Sequence, residues 1–496
     1  MTRIKKKQHS DRKPLNTNTG LQIKGNITTI DNNHHSWMSL IVKLTILATI
    51  ALVAVKITDD KGYFLSDQLN NHHERRWDSF YKFTEHDTVD IVVIGTSHAF
   101  CGVNPKNLSA ALGCNCFVMA FNATTIVDSY YVLEEVLTRT HPKIVIIENY
   151  GIDNRINHEL TGSGLSNQFR SFYPRKNTLL KIHSMPALFT IENYLPAWSS
   201  TMRNHELLLR NPGEIKTNIQ VQKEKRKRGY NNKLYLGRFV RFTEGISDST
   251  MAKYNNLGAV HLGQEKKVSS DAVKYAGKII RLCRDNNIEP LFLTVPMYYK
   301  HIENYHAWKQ TLRKAIPDDV RWLDLQEPYD TTSFTTDCFE DTYGGNQHQT
   351  YYGSLITTYK IANYIADSMN IELPQRNSTK HWHEMFYGEE GYFENYSPKP
   401  DDKNFQILAQ DTTISGILIT DCLLNKGKLT LKISKAGHNE GKTVLLTVRL
   451  LIDGHPYIAN IDLQKAKEYT PLHHNLYLTY LRPDVKIVSI NAVAVY

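Results

Sequence analysis

The chain has 496 residues, which is enough for two or three domains with a large core. Its hydrophobic content of 41% and charged content of 22% are ordinary for a globular protein. The net charge is +9, but seven basic and two acidic side chains give residues 1–36 a charge of +5, which leaves +4 for the rest. The excess therefore lies in an N-terminal tail, and binding to nucleic acid has little support.

An apolar stretch follows this tail at residues 37–57. Its 21 residues, interrupted by Lys43, match the about 20 that a helix needs to span a bilayer. We predict a transmembrane helix with the tail in the cytoplasm and the chain from residue 58 outside, in the periplasm or at the cell surface, because basic flanks stay inside. A cleaved signal peptide is the alternative, since only the 12 residues 44–55 are free of charge.

Six cysteines in a chain of this length do not make a disulfide scaffold. In an exported protein Cys101 could pair with Cys114 or Cys116, and the sequence leaves this open. No group of cysteine and histidine residues has the spacing of a zinc site. We therefore predict neither a metal nor another cofactor.

Residues 90–98, Asp-Ile-Val-Val-Ile-Gly-Thr-Ser-His, form the most informative local pattern. The run from Ile91 to Ile94 is apolar and β-branched, which predicts a buried central strand. Gly95 permits a tight turn, so that Ser97 reaches the rim of the sheet, where α/β folds place their chemistry. A serine there becomes a nucleophile only beside a base. The alternative is that Ser97 merely caps the next helix.

Buried strands and amphipathic helices then alternate along the chain. The patterns predict further strands at 116–120, 143–147, 291–295 and 322–325, and helices at 127–138, 270–285 and 355–369. This alternation predicts an α/β domain over residues 58–375, with a mostly parallel sheet covered on both faces. Residues 160–260 break the rhythm and predict an insertion over the rim of the sheet.

The period of the apolar residues changes to two in the C-terminal part of the chain. Apolar and polar residues alternate within 429–433 and 443–453, and Asp453-Gly454 is a turn signal. Short strands at regular spacing predict a β-sandwich of about 100 residues over 385–496. Such a module would hold a glycan.

The base that Ser97 needs has one good candidate. His348 follows a Gly344-Gly345-Asn346 loop after the predicted strands and precedes a helix, which is typical of a rim position. His98 is a poor candidate, because neighbouring side chains on a strand point to opposite faces, and we expect it to pack. The alternative for His348 is a solvated loop residue.

Together these motifs resemble a known family. Ile94-Gly-Thr-Ser-His98 early in an α/β domain, with a later His348 and a glycine five residues after it, is similar to the SGNH/GDSL hydrolases. The similarity is strongest to the membrane-anchored branch associated with O-acylation of cell-surface polysaccharides, and it covers about residues 88–370. It implies a flavodoxin-like three-layer fold, with Ser97 as the nucleophile and His348 as its base.

The resemblance also implies donors for an oxyanion hole. The second block of the family maps to the N–H of Ala123, at a position where the family has glycine. The third block maps to the amide of Asn154, although Asp153 and Asn154 are swapped relative to the family order. Asn149 is a rival donor.

The third member of the implied triad is displaced. The family has an aspartate three residues before its histidine, and this chain has Gly345 there. We expect Asp341 to replace it, because the glycine-rich loop could fold back to His348, with Glu340 and Asp337 as fallbacks. The other possibility is a Ser–His dyad.

These expectations define one principal function and one alternative. The principal one is a membrane-anchored serine esterase or O-acyltransferase that acts on acyl esters, acetyl esters first, of cell-surface polysaccharide through an acyl-Ser97 intermediate. A multispanning acyltransferase in the membrane would be the partner that supplies the acyl donor. The alternative is an inactive SGNH-fold protein that binds glycan or acts as a scaffold.

Overall fold

The computed structural model describes residues 31–65, 72–228, 236–237, 245–263 and 267–376, and beyond them the backbone of strands between residues 406 and 495. Most of the predicted basic tail, residues 1–30, lies outside the described residues. The chain divides into two compact units, residues 1–60 and 61–496.

The first unit contains helix α1, Asp31–Lys61. Its segment Trp37–Lys61 has 25 residues and includes an 18-residue stretch with a mean hydropathy of 2.4, so it is long and apolar enough to cross a membrane. Its apolar side chains are exposed, as Leu47 is to 63%. The predicted apolar helix is thus confirmed, and a signal sequence would share the same length and composition.

The second unit alternates strands and helices up to residue 376. Its strands are β1 Ile91–Gly95, β2 Cys116–Ala120, β3 Ile144–Glu148, β4 His261–Leu262, β5 Glu289–Thr294, β6 Ile302–Glu303 and β7 Arg321–Asp324. Its helices are α2 His72–Thr84, α3 Ser97–Gly102, α4 Pro105–Leu112, α5 Ile126–Leu137, α6 Gly162–Phe172, α7 Thr178–Leu188, α8 Tyr194–Trp198, α9 Ser200–Asn204, α10 Leu207–Arg210, α11 Pro212–Arg228, α12 Asp248–Leu257, α13 Ser270–Asp285, α14 Tyr305–Leu312 and α15 Tyr351–Ser368.

Five of these strands form one parallel sheet in the order β2-β1-β3-β5-β7. In β1 the side chains alternate between two apolar layers. Val92 packs in the layer that contains Trp77 of α2 and Ile279 of α13, and Val93 packs in the layer that contains Ile356 of α15. The predicted α/β class with a parallel sheet is confirmed, and apolar β-branched runs explain why both faces are buried.

The strand order places a crevice beside β1. The next strands along the chain, β2 and β3, lie on opposite sides of β1, so the connections after β1 and β3 run in different directions. At such a switch point α/β folds leave an open crevice at the carboxyl ends of the strands. The segments that follow Gly95 and Glu148 meet there.

The insertion predicted over the rim of the sheet divides into two parts. Among the described residues of the insertion, α12 lies at the rim, where the Tyr254 hydroxyl donates to the Thr342 carbonyl at 2.9 Å. The earlier helices α6 and α7 instead pack on α2 and α5. A buried ion pair between Arg175 and Asp128 and the hydrogen bond from the Trp77 indole to the Ser171 carbonyl hold them there. The placement of the whole insertion over the rim stays a prediction.

The C-terminal region consists of antiparallel strands. They are β8 Gln406–Ile414, β9 Ile417–Asn425, β10 Lys428–Ala436, β11 Thr443–Ile452, β12 His455–Leu463, β13 Leu472–Leu476 and β14 Val485–Val495. They form two sheets with the orders β13-β10-β9-β8 and β12-β11-β14. The period-two pattern therefore predicted strands correctly, while the turn at Asp453-Gly454 lies outside the described residues.

Candidate active site

Ser97 is held at the end of a central strand by a buried carboxylate. Strand β1 ends at Gly95, whose φ of +143° suits glycine, and Thr96 caps α3 by accepting a hydrogen bond from the His98 N–H. The Glu148 carboxylate accepts from the Thr96 N–H at 2.9 Å and from the Thr96 hydroxyl at 2.7 Å. Two strands therefore fix the turn that carries Ser97, the first residue of α3.

His348 is held by a short antiparallel pairing between two loop segments. Phe339 and Gln349 form a β-bridge, and the Glu340 N–H donates to the His348 carbonyl at 2.9 Å. In this register Glu340 lies directly opposite His348, and side chains at opposite positions of an antiparallel pair share one face. The pairing therefore brings a carboxylate beside the imidazole.

The three side chains meet in one line of hydrogen bonds. Nε2 of His348 lies 2.7 Å from Oγ of Ser97, and Nδ1 of His348 lies 2.8 Å from Oε1 of Glu340. The backbone N–H of His348 donates to the same Glu340 oxygen at 3.1 Å. A carboxylate on Nδ1 keeps the proton there and leaves Nε2 to accept the serine proton. Since Glu340 and His348 are 5% and 8% exposed, water screens this interaction little.

Asp341 does not contact His348. Its carboxylate is exposed and accepts hydrogen bonds at 3.0 Å from the N–H and the hydroxyl of Ser247. Hydrogen bonds, first from Thr250 and then from Ser247, hold the pKa of Asp341 below its ordinary value. The reason is the register, because adjacent residues of an extended segment point to opposite sides. Glu340, the first fallback, occupies the position predicted for Asp341.

Asp337, the second fallback, is also directed elsewhere. It is exposed and precedes the buried Cys338, whose carbonyl accepts from the Thr350 N–H at 2.9 Å. The carbonyl of Asp337 accepts from the Thr350 hydroxyl at 2.7 Å. This residue thus contributes backbone contacts that close the base of the histidine loop.

A buried polar cluster supports the histidine loop from behind. The Gln347 side chain accepts from the Tyr298 N–H at 2.7 Å and donates to the Tyr254 hydroxyl at 3.2 Å. That hydroxyl also lies 2.5 Å from Nδ1 of His301. Burial, followed by the neighbouring His261, lowers the pKa of His301 to about 4, so His301 is neutral near pH 7.

The other wall of the site is made by the adjacent rings of His98 and Tyr150. The His98 ring lies between Tyr150 and His348, with centroid distances of 4.2 and 5.0 Å. The Tyr150 hydroxyl donates to Oδ1 of Asn346 at 2.7 Å, and burial raises the pKa of Tyr150 to about 12. Tyr150 therefore ties the end of β3 to the histidine loop, and His98 has the packing position expected of it.

Sequence reasoning missed Glu148 and Tyr150. Oε1 of Glu148 accepts from the Tyr150 N–H at 2.6 Å, and the carboxylate is 2% exposed. The sequence does contain a signal for Glu148, because this single acid ends the apolar run that starts at Ile144, at the carboxyl edge of the sheet. Buried acids occur there only with hydrogen-bond donors.

The predicted oxyanion donors are dispersed. Ala123 has a φ of +50°, and its carbonyl accepts from the Arg155 guanidinium at 2.9 Å. Asn154 is exposed, whereas Asn149 is buried and donates from its amide to Oγ1 of Thr294 at 2.8 Å. The donor closest to the chemistry is the N–H of Ser97 itself, which lies in the first turn of α3, where N–H groups have no partner within the helix.

The cysteines offer no rival nucleophile among the described residues. The five described cysteines, Cys101, Cys114, Cys116, Cys283 and Cys338, are buried and form no disulfide with one another. The pairing of Cys101 that the sequence left open is not formed, and the sulfurs of Cys114 and Cys116 lie 4.0 Å apart. Burial raises the pKa of the Cys116 and Cys338 thiols, so they stay protonated and unreactive.

Comparisons with known proteins add no family to this geometry. No protein-family model matches the chain, and the curated proteins contain no significant match. Function therefore has to be inferred from the site itself, from the contacts that join Ser97, His348 and Glu340.

Proposed function

We propose that the protein is a serine esterase or O-acyltransferase that acts through an acyl-Ser97 intermediate. The observation that carries the proposal is the 2.7 Å distance between Oγ of Ser97 and Nε2 of His348. A hydroxyl becomes nucleophilic when an adjacent base can take its proton, and this distance lies within hydrogen-bond reach. The Glu340 contact on the opposite nitrogen supports the same assignment.

The residues present account for both halves of the reaction. Oγ of Ser97 forms a bond to the ester carbonyl carbon while Nε2 of His348 takes the hydroxyl proton. The imidazolium gives that proton to the departing alcohol, and the acyl group stays on Ser97. An incoming hydroxyl group then loses its proton to His348 and attacks the acyl carbon. The bond between that carbon and Oγ of Ser97 breaks, and the imidazolium returns the proton to Ser97. Glu340 stabilises the imidazolium in each half.

The acceptor decides the name of the activity. Water as the second nucleophile gives an esterase, and a sugar hydroxyl gives an O-acyltransferase. In both cases the oxyanion of the tetrahedral intermediate needs donors, for which the N–H groups of Ser97 and Ala123 and the amides of Asn149 and Asn154 are the candidates. The loss of one such donor typically slows a reaction about 10²- to 10³-fold.

The remaining features extend the proposal to a cellular setting. The crevice at β1 and the five parallel strands fit an SGNH-type, flavodoxin-like three-layer domain. The two C-terminal sheets would pack as a β-sandwich that holds cell-surface polysaccharide. α1 would anchor the protein with this domain outside the cytoplasm, where a multispanning acyltransferase would supply acetyl groups.

Turnover of acetyl esters by the full chain in detergent tests the proposal. Ser97→Ala should lower acetate release from p-nitrophenyl acetate and from acetylated glycans about 10⁴-fold or more. The melting temperature should stay that of the parent, because only one hydroxyl at the rim is lost. Ser163→Ala, at an exposed serine of α6, is the matched control and should retain full turnover.

Two outcomes would remove the proposal. Unchanged turnover in Ser97→Ala would show that another group is the nucleophile. A parent chain that releases no acetate but binds acetylated glycan would instead favour the non-catalytic glycan-binding alternative.

A further inference from the structure

The insertion carries large apolar side chains on its surface. They lie on short helices between residues 191 and 210 and include Ile191, Leu195, Leu208 and Leu209, which are 80%, 63%, 58% and 91% exposed. Single exposed apolar residues are common, but several on consecutive short helices make this stretch a candidate contact surface. We call residues 191–210 the interfacial segment.

Hydrogen bonds tie this segment to the chain that leaves α1. The amide of Asn204 donates to the Phe64 carbonyl at 2.7 Å, and the amide of Asn218 donates to the Tyr63 carbonyl at 3.0 Å. Tyr63 is the second residue after Lys61, where α1 ends, so its Cα lies at most about 7 Å from that of Lys61. Chain connectivity alone therefore keeps Asn204 near the end of the apolar helix.

The most exposed residues are close to this tether along the chain. Leu208 and Leu209 follow Asn204 by four and five positions, through a turn and the start of α10. Even a fully extended connection would keep them within about 18 Å of Asn204, and the helical turn shortens that distance. The headgroup layer of a bilayer is about 5 to 8 Å thick on each side. These limits leave Leu208 and Leu209 within reach of the acyl boundary.

The composition of the segment fits a lipid surface. Trp198 and Tyr194 are residue types enriched at membrane interfaces, and Leu, Trp and Arg on short helices are typical of interfacial anchors. A small open cleft beside the tether is lined by Leu65, Arg170, Arg203 and Asn204, among other residues, and none of its described lining side chains is acidic. Two guanidinium groups there complement the phosphates of lipid headgroups.

We propose that the interfacial segment lies on the outer surface of the bilayer in which α1 is anchored, with Leu208 and Leu209 in the acyl boundary. This second contact would fix the tilt of the domain relative to the membrane, which a single helix and a short connection would leave free. The proposal goes beyond the acyl-transfer chemistry and does not depend on it. It does rest on α1 being retained as an anchor.

Fluorescence quenching in nanodiscs tests the contact with the full chain. Leu209→Cys and, as a matched control, Leu257→Cys, an apolar residue of α12 that is 68% exposed, are each labelled with an environment-sensitive dye. The parent chain, labelled in the same way, gives the background signal from the six native cysteines. Lipids with a nitroxide near the headgroup should quench the dye at position 209 at least about threefold more than at 257, because interfacial side chains lie about 5–10 Å deep.

Each other outcome overturns the proposal. Equal quenching at the two positions would mean that Leu209 faces water. A blue-shifted emission at position 209 without quenching would mean that a partner protein or a second copy of the chain covers it. A chain that does not co-purify with the nanodisc would remove the anchor. All three outcomes are independent of esterase turnover, because neither Leu209 nor Leu257 belongs to the candidate active site.

Discussion

The two halves of the candidate site are built by different means. Ser97 is fixed by regular structure, since β1 pairs along its length with β2 and β3 and Glu148 holds the turn that follows. His348 is fixed by a loop whose only regular feature among the described residues is the bridge between Phe339 and Gln349. The position of Ser97 is therefore supported by the whole sheet, whereas the position of His348 depends on individual polar contacts.

This difference indicates where each half is vulnerable. A strand with buried neighbours on both sides does not depend on any one side-chain hydrogen bond, but it tolerates no extra volume. A loop held by hydrogen bonds tolerates changes of volume but loses its geometry when one buried polar partner is removed. The predictions below probe each half with the change to which it should be most sensitive.

Among the changes that compare the two halves, the largest effect is expected at the carboxylate of the loop. Glu340→Gln preserves the shape of the side chain but removes the charge that stabilises the imidazolium and fixes its tautomer. We expect kcat for acetate release to fall about 10²- to 10⁴-fold with little change in KM, because the interaction strengthens only as His348 becomes charged. Steady-state kinetics of the parent and the variant measure it.

Glu340→Asp is the informative companion. It keeps the charge but withdraws it by one methylene group, so turnover should lie between the parent and Glu340→Gln. Activity that stays at the parental level in Glu340→Gln would mean that Ser97 and His348 work as a dyad.

The sheet half is tested by volume at Gly95. A Cβ there would lie 2.6 Å from Cβ of Glu148, and its φ of +143° is unfavourable for any other residue. Gly95→Ala should therefore destabilise the protein by about 2–4 kcal/mol and displace the turn before Ser97. Gly277→Ala, in the middle of α13 with nothing within 4 Å, is the control and should stabilise by about 0.5–1 kcal/mol. Denaturant unfolding of both variants compares them, and equal midpoints would contradict the tight packing at Gly95.

The same contrast separates what the sequence predicted from what it could not. Strand β1 and the turn at Gly95 could be predicted, because a β-branched run followed by glycine is a local pattern. The choice of Glu340 over Asp341 depends on the register of the Phe339–Gln349 bridge, which brings together residues ten positions apart and leaves no local pattern. The alternation rule also did not identify α6 and α7, although apolar side chains of both helices, among them Phe172 and Leu188, are buried in the core.

The pH dependence of stability provides a third test, which probes the buried polar cluster of Gln347, Tyr254 and His301 behind the histidine loop. His301 has its pKa lowered to about 4 from an ordinary 6.5, chiefly by burial, so the unfolded chain takes up a proton first as the pH falls. Stability contributed by neutral His301 should be complete above about pH 6.5 and be lost towards pH 4. Between pH 7 and pH 5 the loss should be about 2 kcal/mol. Denaturant unfolding at several pH values measures it.

His301→Gln removes this titration while retaining a polar partner for the Tyr254 hydroxyl. Its stability should decline less than that of the parent between pH 7 and pH 5, by about the same 2 kcal/mol. His306→Gln, at an exposed histidine of α14, is the control for the loss of a histidine outside this cluster. Identical curves for the parent and His301→Gln would mean that other groups, among them the neighbouring His261, Glu340 and His348, set the acid sensitivity.

The smallest effect is expected at Asp341, the residue that the sequence favoured for the triad. Its carboxylate is exposed and accepts from Ser247 at 3.0 Å, on the side of the loop opposite to Glu340. Asp341→Asn keeps an oxygen for those donors and removes a charge that water already screens, so kcat should stay within about threefold of the parent. When the two variants are measured in one assay, Asp341→Asn and Glu340→Gln compare adjacent acids whose side chains lie on opposite sides of the paired segment. A loss of about 100-fold or more in Asp341→Asn, with Glu340→Gln unaffected, would reverse the assignment and require the loop to pair in a different register during the reaction.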